Sequence, residues 1–248
     1  MAINFQKTTF SGRVPEIWRG ECKILPGGYR PNNDVSVGTI VRRGTPLRIY
    51  NGFTADLCKT ATVLSGGTTT KPRIGKGNLF EVGDVVFKVG SDGTVSKTIL
   101  AINRSKADYD ELTLDHALTG LNANDVIAEA TPYGYYDAES TDEGALEVVA
   151  SGASDGQVNL ATAKANYHGS KELAANDYVI LKNATVKVAP NAVVGADLVF
   201  DGKGAPTFAV AYDAVVLYPS LQFPILSEWL NGGGLCLKDN PNIHIIKQ

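Results

Sequence analysis

A serine in a Gly-x-Ser-x-Gly frame is the sequence's nearest approach to a nucleophile motif, at Gly152-Ala153-Ser154-Asp155-Gly156. An acyl-transfer elbow needs a strand running in and a helix running out, so that the hydroxyl stands on a sharp turn. Here the frame lies in a Ser/Gly/Ala-rich stretch, and Gln157-Val158-Asn159-Leu160 after it reads as strand. No spacing sets His168 or His244 beside Ser154, and the pentapeptide is expected to be a solvated loop. Gly75-Lys76-Gly77-Asn78-Leu79-Phe80 opens like a dinucleotide fingerprint but puts Phe where a third small residue must let helix and strand approach. A flexible loop is expected there. Asp115-His116 is the one adjacent carboxylate–imidazole pair. Neighbouring residues of a strand point to opposite faces, so a surface histidine is expected rather than a dyad. Asp108-Tyr109-Asp110-Glu111 carries oxygen ligands for a hard cation but lacks the glycine and spacing of a calcium loop. It reads as a solvated acidic turn.

The remaining reactive residues are scarce and scattered. Three cysteines (Cys22, Cys58, Cys236) and three histidines (His116, His168, His244) form neither a Cys-x-x-Cys pair nor a zinc-ligand spacing. The thiols are expected to be buried and reduced, as suits a chain folding in a cytoplasm. No catalytic residue, cofactor-binding residue or metal ligand is expected, and the protein is read as a structural or binding component rather than an enzyme. A carbohydrate-active or metal-dependent enzyme with a scattered site stands as the rival from another class.

Composition sets the frame for these groups. The chain has 248 residues, 44% hydrophobic and 20% charged, which is enough apolar material for a buried core. A net charge of −3 gives no general attraction to nucleic acid or to an anionic membrane surface. No run approaches the roughly 18 apolar residues of a membrane span, and Met1 to Lys7 has no apolar core of a signal peptide.

The elements that must position these residues read as strands. Gly recurs 26 times between short Val/Ile/Thr runs. Val35–Val41 and Pro46–Tyr50 flank Arg42-Arg43-Gly44-Thr45 and predict a hairpin whose arginines can meet a partner's carboxylate or phosphate, or simply solubilise the turn. Val85–Val89 and Thr94–Ile102 flank Gly90-Ser91-Asp92-Gly93, a second hairpin. Further strands are expected at 111–114, 126–130, 178–181, 184–188, 198–200 and 207–217. Phe80-Glu81-Val82-Gly83-Asp84-Val85-Val86 is echoed at Leu121–Ile127 and at Leu173–Val179, each an apolar residue before a Gly/Asn-Asp turn that opens into a strand. The echo fits either common turn chemistry or two related β modules on either side of residue 150. Helix is expected only at Pro224–Leu230, with a weaker case at Ala161–Ala175.

The expected fold is therefore mainly β, with short-stranded barrel or sandwich modules, an extended N-terminal arm and little helix. Its divisions are an arm at 1–30, a barrel-like module at 31–136, a connector at 137–158 and a second β-rich region at 159–248. The arm carries Phe5, Phe10, Ile17, Trp18 and Arg19, and the connector is preceded by Tyr133, Tyr135 and Tyr136. These eight are the candidate interface residues, since Trp, Tyr and Arg dominate interface hot spots. The tyrosines suit stacking on sugars or anchoring a protein, and equally sealing a β core.

Several segments together carry a resemblance: the arm, the strand Val37-Gly38-Thr39-Ile40-Val41-Arg42-Arg43-Gly44-Thr45-Pro46-Leu47, the turn Val82-Gly83-Asp84-Val85-Val86, and Ile225-Leu226-Ser227-Glu228-Trp229-Leu230. The chain resembles the head-fibre and capsid-decoration proteins of tailed bacteriophages, especially those of phages and prophages of gut bacteria. The likeness spans most of the chain and is one of style, and it carries over no site residues. It implies a virion structural protein, made in the host bacterial cytoplasm and attached by its N-terminal part to the major capsid protein or another virion protein. It further implies a homo-oligomer, often a trimer. A tail or baseplate component or a receptor-binding protein is the alternative, with a host-surface glycan as a further partner. Nucleic acid and membrane insertion are not expected.

Overall fold

The computed structural model describes residues 16–33, 35–90, 96–130, 186–231 and 233–247, with three short strands at 148–149, 157–159 and 178–180. The architecture is mainly β. Strands β1 (Lys23–Pro31), β2 (Ile40–Val41), β3 (Pro46–Tyr50) and β4 (Thr54–Leu57) come first. Six strands follow: β5 (Thr60–Leu64), β6 (Arg73–Gly75), β7 (Val85–Lys88), β8 (Lys97–Asn103), β9 (Tyr109–Leu114) and β10 (Val126–Glu129). They close into an antiparallel barrel in the order β5-β6-β9-β8-β7-β10, with β10 returning to β5. β9 shows why it closes: every second residue (Asp110, Leu112, Leu114) is buried. Val63, Ile74, Phe80, Val86, Ile99, Leu112 and Ile127 meet inside.

The short strands β11 (Val148–Val149), β12 (Gln157–Asn159) and β13 (Tyr178–Ile180) pair antiparallel, β13 in the middle. The last four are β14 (Ala192–Val194), β15 (Leu198–Val199), β16 (Phe208–Leu217) and β17 (Ile243–Ile246). β1, β4, β3, β14 and β16 follow one another in a second sheet, and β1 also pairs with β16, so these five form a ring. β17 runs parallel to the outer half of β16. Leu47, Leu57, Val194, Phe208 and Val210 fill this second core. Residues 46–57, expected in the first β module, and residues 192–217, expected in the second, thus share one sheet, and the six-stranded barrel is threaded between them in sequence.

Two local expectations change. Arg42–Thr45 does form a turn, with Thr45 N donating to Arg42 O at 3.2 Å. The strands flanking it do not pair with each other: β2 pairs with β15, and β3 with β4 and β14. Within the turn Gly44 has φ +84° and packs under Leu221 and Ile17. A Cβ there would stand 2.8 Å from Leu221 Cδ2 and 2.9 Å from Ile17 Cγ2. Gly44→Ala is therefore expected to lower stability by about 1–3 kcal/mol, combining left-handed strain with overpacking. A urea midpoint equal to that of the unsubstituted protein would contradict this packing.

The helix expected at Pro224–Leu230 is reduced to a 3-10 turn, Ser227–Trp229, one of two such turns among the described residues. The reason is packing. Phe223 enters the core of the five-stranded ring, while Ile225, Leu226 and Trp229 enter a third core. An extended strap can serve two cores; one α-helical stripe serves a single face. The third core joins Phe87, Ala128 and Ala130 of the six-stranded barrel side to Val216, Leu237, Ile243 and Ile245. The strap is also hydrogen-bonded across the seam, Thr60 Oγ1 donating to Pro224 O at 2.8 Å and Gln222 Nε2 to Gly77 O at 3.1 Å. The weaker helix at Ala161–Ala175 lies outside the described residues.

The repeated turn has a common geometry in its two described copies. Glu81 N donates to Asp84 Oδ2 at 2.8 Å, and Asn122 N donates to Asp125 Oδ2 at 2.7 Å. Asp84 N and Asp125 N return bonds to Glu81 O and Asn122 O. Gly83 (φ +96°) and Asn124 (φ +71°) take the left-handed position. The strands they open, β7 and β10, are neighbours in the same barrel. Residues 173–177 of the third copy lie outside the described residues.

Candidate functional site

Of the eight residues expected at an interface, Phe5, Phe10, Tyr133, Tyr135 and Tyr136 lie outside the described residues. Ile17, Trp18 and Arg19 belong to the chain's own sheet. Leu217 N donates to Ile17 O and Arg19 N to Val215 O, with Trp18 bridged to Val216. From Ile17 the chain runs antiparallel along β16, continuing as β1 from Lys23 opposite Asp213 to Tyr29 opposite Phe208. Ile17 is 7% exposed in its own core and is not available to a partner. Trp18 is half-buried against that core, and Arg19 remains exposed. The arm's second half is thus part of the sheet, supplying the backbone partner that β16 needs on that side.

Ser154 and His168 are also outside the described residues. Asp115 and His116 do approach each other, His116 Nδ1 lying 3.5 Å from Asp115 Oδ2. They sit just past the end of β9, where strand alternation no longer applies. His116 is exposed, and Asp115 Oδ1 is occupied by the backbone N–H groups of Thr98 and His116. The pair is a capped turn at the surface.

Two segments expected to be solvated are instead halves of one buried network. Asp110 is 1% exposed and accepts from Lys76 Nζ at 2.6 Å and Asn78 Nδ2 at 2.7 Å. Arg104 lies 3.5 Å from the same carboxylate and donates to Phe80 O at 2.8 Å. Glu81 extends the network to a separate loop, accepting from Ser36 N and Ser36 Oγ. The acidic run at 108–111 fails as a turn because Asp110 falls on an inward position of β9, and a charge there persists only with partners. Asp110 thereby fixes the Gly75–Asn78 loop.

A second network lies where the six-stranded barrel meets the rest of the chain. Lys59, its side chain 2% exposed, pairs with Asp84 Oδ2 at 2.6 Å. Glu129, at the end of β10, pairs with Lys187 Nζ at 2.6 Å. Their backbones interlock as well: Glu129 N donates to Lys59 O and Lys187 N to Glu129 O. Burial pushes the Glu129 carboxyl above its ordinary pKa, with Lys59 and Lys187 pulling the other way. For Lys187 burial is the largest influence and opposes the charge, but the hydrogen bond it donates to Glu129 together with the attraction of the Glu129, Asp84 and Asp56 carboxylates outweighs it, and its pKa rises. Sequence reasoning missed Lys59 and Lys187. The available signal at Lys59 was its place in an otherwise apolar and threonine run, Leu57–Leu64.

Both networks use their charges to pin loops and seams. Burial, then nearby carboxylates, raises the Cys58 thiol well above its ordinary pKa, and Cys22 also moves up. Raised thiols are poor nucleophiles. Tyr50 is pushed to about 12 by burial and its hydrogen bond to Asp56. Among the described residues no group of three or more His, Cys, Asp or Glu is placed to hold a metal ion, and no helix is long and apolar enough to cross a membrane. A pocket of about 150 Å³ lies between the Leu64–Thr69 turn and Leu121–Ala123; its lining has hydroxyls and an amide but no titratable side chain.

The surface offers more than the interior. β2 and β15 form a separate two-stranded ribbon with Ile40 directly opposite Val199. Ile40 is 37% and Val199 54% exposed. Val37, 72% exposed, precedes the ribbon beside Gly202. The neighbouring Ser36–Glu81 contact leads to the exposed Val82. No family model, curated protein or solved structure matches this chain.

Proposed function

We propose that this protein is a non-enzymatic structural component of a bacteriophage particle, decorating the capsid or forming a head fibre as a homo-oligomer. The observation that carries this reading is the ribbon of β2 and β15, with Val37, Ile40 and Val199 turned to solvent. Apolar side chains left in water on a strand pair whose outer edges are unpaired among the described residues favour a protein partner. Each such side chain gains roughly 1.5–3 kcal/mol if fully buried. The buried charges support the same reading, since Asp110 and Lys59 hold loops and seams rigid. The style of the sequence, which resembles head-fibre and decoration proteins, points to a virion as the setting.

The expected result is co-sedimentation of the purified protein with undecorated phage heads and a light-scattering mass that is a multiple of the chain's. Val199→Lys on the ribbon is expected to abolish sedimentation or assembly while the melting temperature stays within a few degrees. A monomer that fails to bind heads, tails or baseplates would overturn the reading. Binding to tails alone would move the protein to the tail.

A further inference from the structure

One lysine and two carboxylates are shut into the same end of the six-stranded barrel. Lys59 lies two residues before Ala61, Asp84 two before Val86 and Glu129 two after Ile127, and those three apolar residues all fill the barrel interior. A period of two therefore sends the charged side chains inward as well. Their burial agrees: the Lys59, Asp84 and Glu129 side chains are 2%, 14% and 5% exposed. The middle strand β10 carries Glu129, which stands opposite Val86 of β7 and donates its N–H to Lys59 O beside β5. Lys59 Nζ reaches Asp84 Oδ2 at 2.6 Å, and Glu81 N holds the same oxygen at 2.8 Å. Lys23, Lys76, Lys88 and Lys187 also pair with carboxylates, but each keeps a fifth or more of its side chain in water. Lys59 does not.

A buried amine in contact with a buried carboxyl is placed for condensation as well as for ion pairing. Fixing the two groups on rigid strands supplies the high effective concentration that the reaction lacks in water. Two desolvated charges are costly at this depth, whereas an amide carries none. We propose that Lys59 and Asp84 form an intramolecular cross-link, an amide between Nζ and Cγ, with Glu129 as the proton carrier. One proton passes from the Lys59 ammonium to the Glu129 carboxylate, and the freed Nζ lone pair attacks Asp84 Cγ. The Nζ–Cγ bond forms and one Cγ–O bond breaks, that oxygen leaving as water with the Glu129 proton and a second proton from Nζ. Glu129 ends as it began, and no other reactant is consumed. Burial already favours a protonated Glu129, and Lys59 and Asp84 both act on it electrostatically. The bond ties the start of β5 to the start of β7 across β10. It closes after folding, since the closed barrel is what brings residues 59 and 84 together. Until then the protein carries the ion pair, and substitutions act on it as on any buried pair. The cross-link does not rest on the virion assignment.

The test is the intact mass of the purified full chain, measured after denaturation. A loss of one water from the sequence mass is expected, with peptide mapping placing it in a branched peptide that joins Lys59 to Asp84. Lys59→Met is expected to restore the full mass. Glu129→Gln is expected to slow closure by about a hundredfold, read as the fraction of cross-linked chain at fixed times after a pulse of synthesis. Lys187→Met removes the same Glu129–Lys187 ion pair but keeps the Glu129 carboxyl, and it is expected to close at the parental rate. An unsubstituted chain that stays at its full sequence mass overturns the cross-link. So does a lost water that maps elsewhere, such as to a cyclised aspartate at Asp201-Gly202. Parental closure in Glu129→Gln, or equal slowing in Lys187→Met, overturns the role of Glu129 as carrier.

Discussion

Asp84→Asn is expected to cost about 3 kcal/mol of stability, whereas Asp125→Asn, at the equivalent place in the sister turn, is expected to cost less than about 1 kcal/mol. Both aspartates make the same turn, and an asparagine Oδ1 can still accept the bond from Glu81 N or Asn122 N. The difference lies in the ammonium each one faces. Lys59 has a side chain 2% exposed and loses its 2.6 Å partner when Asp84 is neutralised. Removing one member of a buried pair typically costs about 3–5 kcal/mol. The low end applies because Glu129 stays close enough to act on Lys59 electrostatically. Lys88, the partner of Asp125, keeps access to water at the barrel surface. Urea midpoints with an unchanged slope would measure both costs. The double substitution Asp84→Asn with Lys59→Met is expected to recover most of the loss, since it removes the stranded charge as well. Equal costs for the two single variants would mean that the turn, not the buried charge, is what matters.

Trp229→Ala is expected to be at least as damaging, at about 3–5 kcal/mol for deletion of a large buried aromatic side chain. Trp229 is 2% exposed in the core that joins the six-stranded barrel to β16 and β17. Its indole N–H has no acceptor among the described residues. That gives a second, sharper expectation for Trp229→Phe. Phenylalanine gives up volume, which costs stability, but it also removes a buried donor whose desolvation costs about 1–3 kcal/mol. The two effects oppose, so the Phe variant is expected within about 1 kcal/mol of the unsubstituted protein. Thermal or urea unfolding of the two variants side by side decides this. A Phe variant as unstable as the Ala variant would show that the indole N–H is bonded after all.

Much of the local structure was legible in the sequence. The repeated Gly/Asn-Asp turn predicted the left-handed positions at Gly83 and Asn124 and the strands β7 and β10 that follow. The pairing of β7 with β8 was legible from the Asp-Gly step between two runs rich in Val, Ile and Thr. So was β16, a single apolar run from Phe208 to Leu217. In each case backbone preference and a period of two act within a few residues, and the sequence displays both directly. Strands β4, β5, β6, β14 and β17 were missed; each has only three to five residues, too few to show a period.

Site residues divide the same way. The scarcity of His and Cys and the broken dinucleotide fingerprint at Gly75-Lys76-Gly77-Asn78-Leu79-Phe80 could be read from residue types and spacing alone. Nothing local distinguishes Asp110 from a solvated aspartate, and at Lys59 only the apolar and threonine run around it pointed inward; the burial of both depends on which strands close over them. The pair of Tyr29 and Phe53 brings together a residue of β1 and the tip of the β3–β4 hairpin, whose strand β4 runs parallel to β1 and is not consecutive with it.

Partner choice is where tertiary structure took over. Arg42–Thr45 looked like the turn of a hairpin, and it is a turn, yet β2 pairs with β15 and β3 takes β14 beside its local partner β4, both β14 and β15 lying more than a hundred residues away. The same holds for the segment from Ile17 to Pro31, which read as an arm packing on a partner or on the chain's own β module and lines β16, with Lys23 bonded to Asp213 190 positions on. Closing a loop of about two hundred residues rather than about ten costs only some 3 kcal/mol more, because the entropy grows with the logarithm of length. One or two buried side chains such as Ile17 repay that difference at roughly 1.5–3 kcal/mol each. The sequence by itself determined that this chain would be built of short strands with aspartate-capped turns. Which strands meet, and hence which charges are buried and which aromatic rings face outward, was decided by side-chain burial between segments far apart in the chain.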